Sequence, residues 1–249
     1  MQNNVIAVKD IQYIYPDGTH ALKGVSFKIN YGESVAIVGS NGSGKTTLLS
    51  HFNGIYLPSS GTVHIGEHSI NPNTLSHIRR TVGMVFQNPD DQLFMPTVYD
   101  DVAFGPTNLG LSQTEVELRT TTALKTVGAW ELKDRPPYRL SGGQKRAASI
   151  AAVLAMEPSI LAMDEPTAFI DPLTRRQLIN LLKSFKQTKI IATHDLDMAL
   201  DLCERTILLQ SGSILADGPT VKIFRDKKLL EKGRLEQPLS MQGCPICSK

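Results

Sequence analysis

The sequence predicts an α/β fold with a mostly parallel central sheet, an antiparallel β portion and an inserted helical portion. Three features of the chain carry that expectation. The apolar run Val35-Ala36-Ile37-Val38 leads into Gly39-Ser40-Asn41-Gly42-Ser43-Gly44-Lys45-Thr46, which fits G-x-x-x-x-G-K-[ST], a phosphate-binding loop between a strand and a helix. Two further apolar runs, at 159–163 and 189–193, are separated by segments of helical spacing, as buried strands of an α/β sheet are. Between about residues 88 and 138 the periodicity is mainly helical.

The loop needs these residue types at this spacing. Its glycines allow backbone geometries closed to residues with a Cβ, so successive N–H groups can turn inward around phosphate oxygens. The helix opening near Gly44 points its positive end at the same anion. Lys45 adds a cation for the β- and γ-phosphates, the Thr46 hydroxyl is a ligand for Mg²⁺, and Thr47 is placed for the α-phosphate. A nucleotide is the expected ligand.

Upstream, residues 5–15 alternate loosely and read as a strand, Pro16-Asp17-Gly18 as a turn, and 21–29 as a second strand. An antiparallel β portion thus spans about 3–38, and a strand at 61–65 extends it over about 54–70. Tyr15 is either a ring that stacks on adenine or a half-buried strand aromatic. After the loop the helix runs to Asn53 and Gly54 stops it. A short basic helix at 73–80 and a short buried strand at 82–86 follow. That strand ends on Gln87, and the Pro-containing loop after it can swing the amide in and out of a metal site; the plainer reading is a polar loop. Helical spacing at 97–109 and 112–127 makes up the insertion, with Ser112 and Glu115 as a capping box, and Asp134-Arg135-Pro136-Pro137-Tyr138 closes it.

Leu140-Ser141-Gly142-Gly143-Gln144 opens a helix running to Met156. A hydroxyl, bare N–H groups and a helix dipole converge there into a second anion site, although Ser is also a common helix cap. The strand 159–163 runs into Asp164-Glu165-Pro166-Thr167. Neighbours on a strand face opposite ways, which lets Asp164 hold a metal through its water shell while Glu165 accepts a proton from an attacking water. Paired acids also cap strands in other settings; the metal–nucleotide site already expected gives this pair its weight. An amphipathic helix spans 172–186. His194 ends the strand 189–193, where open α/β sheets place ligands. A helix at 195–203 and a hairpin around Ser211-Gly212 follow, and polar and basic residues dominate from Val221.

Composition narrows the partners. The 249 residues are 41% hydrophobic and 20% charged, and 26 basic against 24 acidic residues leave +2, too little to indicate a nucleic-acid surface. No apolar run approaches the ~20 residues of a membrane span. No secretory leader is expected, and three cysteines make no disulfide framework, which fits a reducing cytoplasm.

As a set, the loop at 39–46, Gln87, Leu140-Ser141-Gly142-Gly143-Gln144, residues 160–165, Asp171 and His194 resemble the nucleotide-binding subunits of ABC transporters, which share the P-loop NTPase core. The resemblance covers about residues 5–225. The wording Val85-Phe86-Gln87-Asn88-Pro89-Asp90-Asp91-Gln92-Leu93-Phe94, with Asp101-Val102-Ala103-Phe104-Gly105-Pro106 downstream, is similar more narrowly to the ATPases of energy-coupling-factor (ECF) importers, of the cobalt/nickel or the vitamin type. It implies one ATPase domain at 1–225 with a tail at 226–249, peripheral on the cytoplasmic face of the cell membrane.

The resemblance also implies that two such domains, two copies or a copy and a paralogue, pair head to tail around two ATP molecules. Each ATP lies on the Lys45 loop of one subunit and under Ser141-Gly142-Gly143-Gln144 of the other. Tyr15 stacks on adenine, Thr46, Gln87 and Asp164 attend Mg²⁺, Glu165 is the general base, His194 contacts the γ-phosphate, and Asp171 communicates across the pair. The implied partners are an integral membrane coupling protein, which inserts a short helix beside the helical insertion, and a substrate-binding membrane component. The same core would serve another ABC importer or exporter. It would serve less well a soluble ABC-type ATPase acting on nucleic acid, a class marked by tandem cassettes or a long coiled coil. Two features depart from the family: Phe169 stands where glycine is common, and Cys244-x-x-Cys247 is either half a zinc site or a disordered thiol tail.

Overall fold

The computed structural model describes residues 4–243. β1 (Asn4–Ile14) pairs antiparallel with β2 (His20–Asn30), with Ile6 opposite Ile29 and Tyr13 opposite Leu22. β3 (Ser34–Val38) carries the apolar run and leads to α1 (Lys45–Phe52). β4 (Ser60–Ile65) pairs with the other edge of β1, and β5 (His68–Ser69) pairs with β4. There follow α2 (Leu75–Thr81), β6 (Val82–Val85), α3 (Val98–Asn108), α4 (Gln113–Thr126), α5 (Gly142–Leu154), β7 (Ile160–Asp164), α6 (Pro172–Ser184), β8 (Thr188–Thr193) and α7 (Leu196–Leu202). The hairpin β9 (Arg205–Gln210) and β10 (Ser213–Pro219) leads to α8 (Thr220–Arg225) and α9 (Lys227–Lys232). Residues 4–78 with 186–243 form one compact unit, and residues 79–185 form another.

In the first unit β3 lies parallel to both β8 and β9, with Val38 opposite Thr193 and Leu208. Val35–Val38, Ile190–Ala192 and Ile207–Leu209 are all buried. Strands covered on both faces have no solvent side to make polar, so they read as continuous apolar runs and not as alternating ones. β10 adds an antiparallel edge beyond β9. The antiparallel sheet of the same unit has the order β2-β1-β4-β5.

α8 and α9 were not legible in the sequence. Polar residues dominate after Val221, yet a surface helix needs only a narrow apolar stripe, and Ile223, Phe224 and Leu230 supply it, the last two at most 1% exposed. α9 therefore lies within the segment expected as a tail. Cys244 and Cys247 lie outside the described residues.

In the second unit β6 and β7 run parallel, with Val82 opposite Ile160 and Val85 opposite Met163. α3, α4 and α5 close around Val98, Val102, Leu124, Ala148 and Ala151. Thr97 caps α3 by accepting from the Asp100 N–H, and Ser112 caps α4 by accepting from that of Glu115. The capping box expected at Ser112 and Glu115 is not completed in the reciprocal sense. The Glu115 carboxylate turns to Arg119 Nε at 2.7 Å, one turn along the helix, because a cation at i+4 competes with the cap N–H. Among the described residues no helix is long and apolar enough to cross a membrane.

Candidate functional site

In the first unit, the loop between β3 and α1 is held by backbone that comes from far along the chain. Gly212, in the β9–β10 turn, donates its N–H to the Ser43 carbonyl at 3.0 Å. A Cβ on Gly39 would stand 2.3 Å from the Leu209 carbonyl oxygen, so only glycine fits against β9. Gly44 has φ +104 at the N-cap of α1, and a Cβ there would lie 2.8 Å from the Ala21 carbonyl. That left-handed turn is open to glycine at no steric cost, and it brings the first turn of α1 to the mouth of the loop.

Lys45 is 7% exposed, and its ammonium donates to the carbonyls of Gly39 at 2.9 Å and Ser40 at 3.2 Å. The cation is thus pre-positioned over the loop. Asn41, Gly42 and Thr46 are exposed there, whereas Ser43 and Thr47 are buried. The Thr47 hydroxyl shares a 2.8 Å hydrogen bond with the Tyr15 hydroxyl. Tyr15 is half-buried and meets Tyr13 and Tyr56 edge-on at 5.0 and 5.7 Å. The structure therefore places Tyr15 beside α1 within an aromatic cluster. His51 belongs to that cluster: fully buried, its Nδ1 lies 2.7 Å from the Thr47 carbonyl, and burial holds its pKa below the ordinary imidazole value.

His194 follows β8 and is exposed. Since Val38 is paired with Thr193, Gly39 and His194 leave the parallel sheet at the same end. The structure brings those two expected residues together. Asp195 accepts from the Met198 N–H at 2.9 Å and caps α7, which fixes where the His194 segment turns.

In the second unit, β7 delivers Asp164, 2% exposed, and the strand ends there. Glu165 lies outside it, 5% exposed with φ +44. Strand alternation therefore does not set the direction of Glu165 relative to Asp164. A left-handed backbone step turns Glu165 away from the line of Asp164, and a non-glycine residue held there stores ~1–3 kcal/mol of strain, a cost that recurs at functional sites. Phe169, with φ +63, repeats that conformation and is 83% exposed.

Ser141 is the N-cap of α5, and here the capping box is complete: Gln144 N–H donates to Ser141 Oγ at 3.4 Å and Ser141 N–H to Gln144 Oε1 at 3.0 Å. Gln144 is thereby engaged in holding the helix start. Gly142 and Gly143 also meet a packing constraint. A Cβ on the first would lie 2.8 Å from the Phe169 carbonyl, and one on the second 2.8 Å from Thr174 Cγ2. Asp171 caps α6 by accepting from the N–H groups of Leu173 and Thr174 at 3.0 Å each and from the Thr174 hydroxyl at 2.5 Å. Those bonds, Thr174's first, hold its pKa below the usual carboxylate range.

Gln87 follows β6 with its side chain exposed, and its backbone is held by a residue that sequence reasoning missed. Arg146, 1% exposed on α5, donates Nη1 to the Phe86 carbonyl and Nη2 to the Gln87 carbonyl, both at 2.6 Å. Burial pulls its pKa down to about 10, with the Asp164 carboxylate acting in the opposite direction. No local pattern reveals this, since a basic residue early in a helix reads as exposed. Gln92, also missed, donates to the Ser149 carbonyl at 2.7 Å and accepts from the Phe86 N–H at 3.3 Å. Lys145 pairs with Asp90 at 2.5 Å.

Residues 22–168 match the ABC transporter family. An ABC-transporter-type protein of Geobacter sulfurreducens is 58% identical over 249 residues, 100% of both chains. The energy-coupling factor transporter ATP-binding protein EcfA of Methanocaldococcus jannaschii is 45% identical over 94% of this chain and 86% of its own. Among solved structures, CbiO1 from Clostridium perfringens, part of the ABC transporter complex CbiONQ, superposes with a TM-score of 0.82 at 41% identity, covering 93% of this chain and 94% of its own. The ATP-binding cassette MJ0796, solved as a dimer in a post-hydrolysis state bound to ADP and phosphate, gives 0.78 at 30% identity over 86% of this chain and 98% of its own. The loop, the capped helix and the acid pair thus stand in a chain that belongs to the ABC transporter family, as an ABC-type ATPase.

Proposed function

We propose that this chain is the ATP-hydrolysing subunit of an ECF-type importer, peripheral on the cytoplasmic face of the membrane, which converts ATP-driven closure of a subunit pair into uptake of cobalt or nickel ion or of a vitamin. The observation that carries the reading is the superposition on CbiO1, at a TM-score of 0.82 over 93% of the chain. The pair is a second copy of this chain or a paralogue. It works on an integral membrane coupling protein and a substrate-binding membrane component.

ATP lies on residues 39–46 of one subunit, its β- and γ-phosphates against Lys45, its α-phosphate by Thr47 and its base on Tyr15. Ser141, Gly142 and Gly143 of the partner close over the terminal phosphate, with Gln144 keeping that helix end formed and Asp171 carrying the signal across the pair. Glu165 takes the proton of the attacking water, and His194 holds the γ-phosphate. Thr46, Gln87 and Asp164 offer a hydroxyl, an amide and a carboxylate, the last 2% exposed. An all-oxygen donor set fits a hard cation that keeps water and phosphate in its remaining positions, and when bound Mg²⁺ neutralises charge on the phosphates.

The test is to recover the chain from native membranes in mild detergent and identify what accompanies it. An integral membrane protein together with a second ABC ATPase is expected. Recovery of the chain alone, or with nucleic acid, would refute the assignment. Uptake of labelled Co²⁺ against labelled vitamins, in cells with and without the gene, then separates the substrates.

A further inference from the structure

We propose that Arg146 is a positioning residue that ties the Gln87 loop to the helix whose N-terminus covers the partner's ATP, so that the two respond to closure as one body. This rests on the sandwich reading above and adds to it how one face of the site reports to the other. α5 begins at the Ser141 cap, and Arg146 follows in the second turn. Its guanidinium reaches back to two successive carbonyls, those of Phe86 and Gln87, 60 and 59 residues away in the chain. Two parallel donors in a rigid plane match two adjacent acceptors, which a single rotating ammonium does not reproduce.

Two further contacts from the same helix fall on the same loop. Gln92 links the Phe86 N–H to the Ser149 carbonyl, and Lys145 meets Asp90. The loop 86–92 is therefore fastened to α5 at three points; in the Lys145–Asp90 pair the carboxylate is exposed and the ammonium half-buried. Arg146 is also electrostatically attracted to Asp164, the acid at the end of β7. A push on the Ser141 end of α5 thus displaces the Gln87 backbone directly.

Amide hydrogen exchange on the full-length Glu165→Gln variant, with and without Mg-ATP, tests this. In that parent, ATP should slow exchange both at 141–146 and at 86–92. In Glu165→Gln with Arg146→Lys, slowing at 141–146 should stay within ~2-fold of the parent. Slowing at 86–92 should fall ~10-fold or more, the equivalent of one charge-assisted hydrogen bond. With Glu165 intact, Arg146→Lys should lower kcat ~10-fold per folded, ATP-binding subunit, counted by active-site titration so that loss of stability does not mimic the effect, while KM for ATP moves less than ~3-fold. Should Arg146→Lys fail to fold, Gln92→Leu cuts the second fastening without touching the buried cation and should give the same separation of the two segments. Slowing at 86–92 that persists alongside 141–146 in a folded variant overturns the tie alone. Absence of slowing at 141–146 in the parent overturns the sandwich, and the tie with it.

Discussion

Replacing Lys45 by alanine is the sharpest single perturbation of the phosphate loop. In the structure the ammonium is 7% exposed and bonded to the carbonyls of Gly39 and Ser40. Engaging a phosphate means giving up such carbonyl bonds for phosphate bonds, so the number of hydrogen bonds changes little. What remains is the attraction of opposite charges, ~4 kcal/mol for a unit pair ~4 Å apart at the effective dielectric near a protein surface. Solvent at the open mouth of the loop reduces this, leaving ~2–3 kcal/mol, or a ~30- to 150-fold weaker Kd. Titration of Lys45→Ala with a fluorescent ATP analogue in Mg²⁺ reads that ratio directly, with circular dichroism to confirm the fold. The loss for ADP should be smaller, because one phosphate contact is already absent. An ATP Kd within ~3-fold of the unsubstituted protein is incompatible with a charge contact of that reduced magnitude and would remove Lys45 from the site.

Glu165→Gln should bind ATP as before while turnover drops by ~10²–10⁴, the usual worth of a general base; phosphate release near the original rate would show that another group takes the proton. Ser141→Arg in the Glu165→Gln background should bind ATP as a monomer yet fail to pair, and light scattering that still finds an ATP-dependent pair would contradict the composite site. Phe169→Gly relieves a left-handed residue, worth ~1–2 kcal/mol, against a chain-entropy loss of ~0.5–1 kcal/mol for glycine. The urea midpoint should therefore hold or rise, and a clear fall would mean that the exposed phenyl ring makes a stabilising contact. Burial holds the His51 pKa below its unfolded value, so the unfolded chain binds the extra proton. Stability is fully present above about pH 6.5 and is lost as pH falls from there, by at most ~1.4 kcal/mol per pH unit. The difference in urea midpoint between pH 7.5 and 5.5 should shrink in His51→Gln, and an unchanged difference would acquit this imidazole.

Legibility followed the range of the interaction. The loop at 39–46 and the buried strands β3, β7 and β8 could be read because their signals are consecutive residues. The Ser141 cap was equally local, and its partner Gln144 lies three residues on. Glu115 shows where a local rule loses: the same spacing promised a closed capping box, and Arg119 one turn away took the carboxylate. At Asp164-Glu165 the residue pair was read, but not the backbone turn between them, because φ +44 at a glutamate has no sequence signature. α8 and α9 escaped because three buried apolar side chains hold two short helices that composition alone describes as polar.

By itself the sequence determined that a phosphate loop follows a buried strand, that a capped glycine pair opens a later helix, and that an acid pair and a histidine end two strands. Each depends on neighbours within a few residues, whose spacing dictates the local backbone. Tertiary structure alone decided that Gly212 props Ser43, that Leu209 leaves room only for a glycine at 39, and that Arg146 grips the backbone of Gln87. Those contacts join residues distant in the chain, and they exist only because packing brings together groups whose pairing no linear spacing specifies.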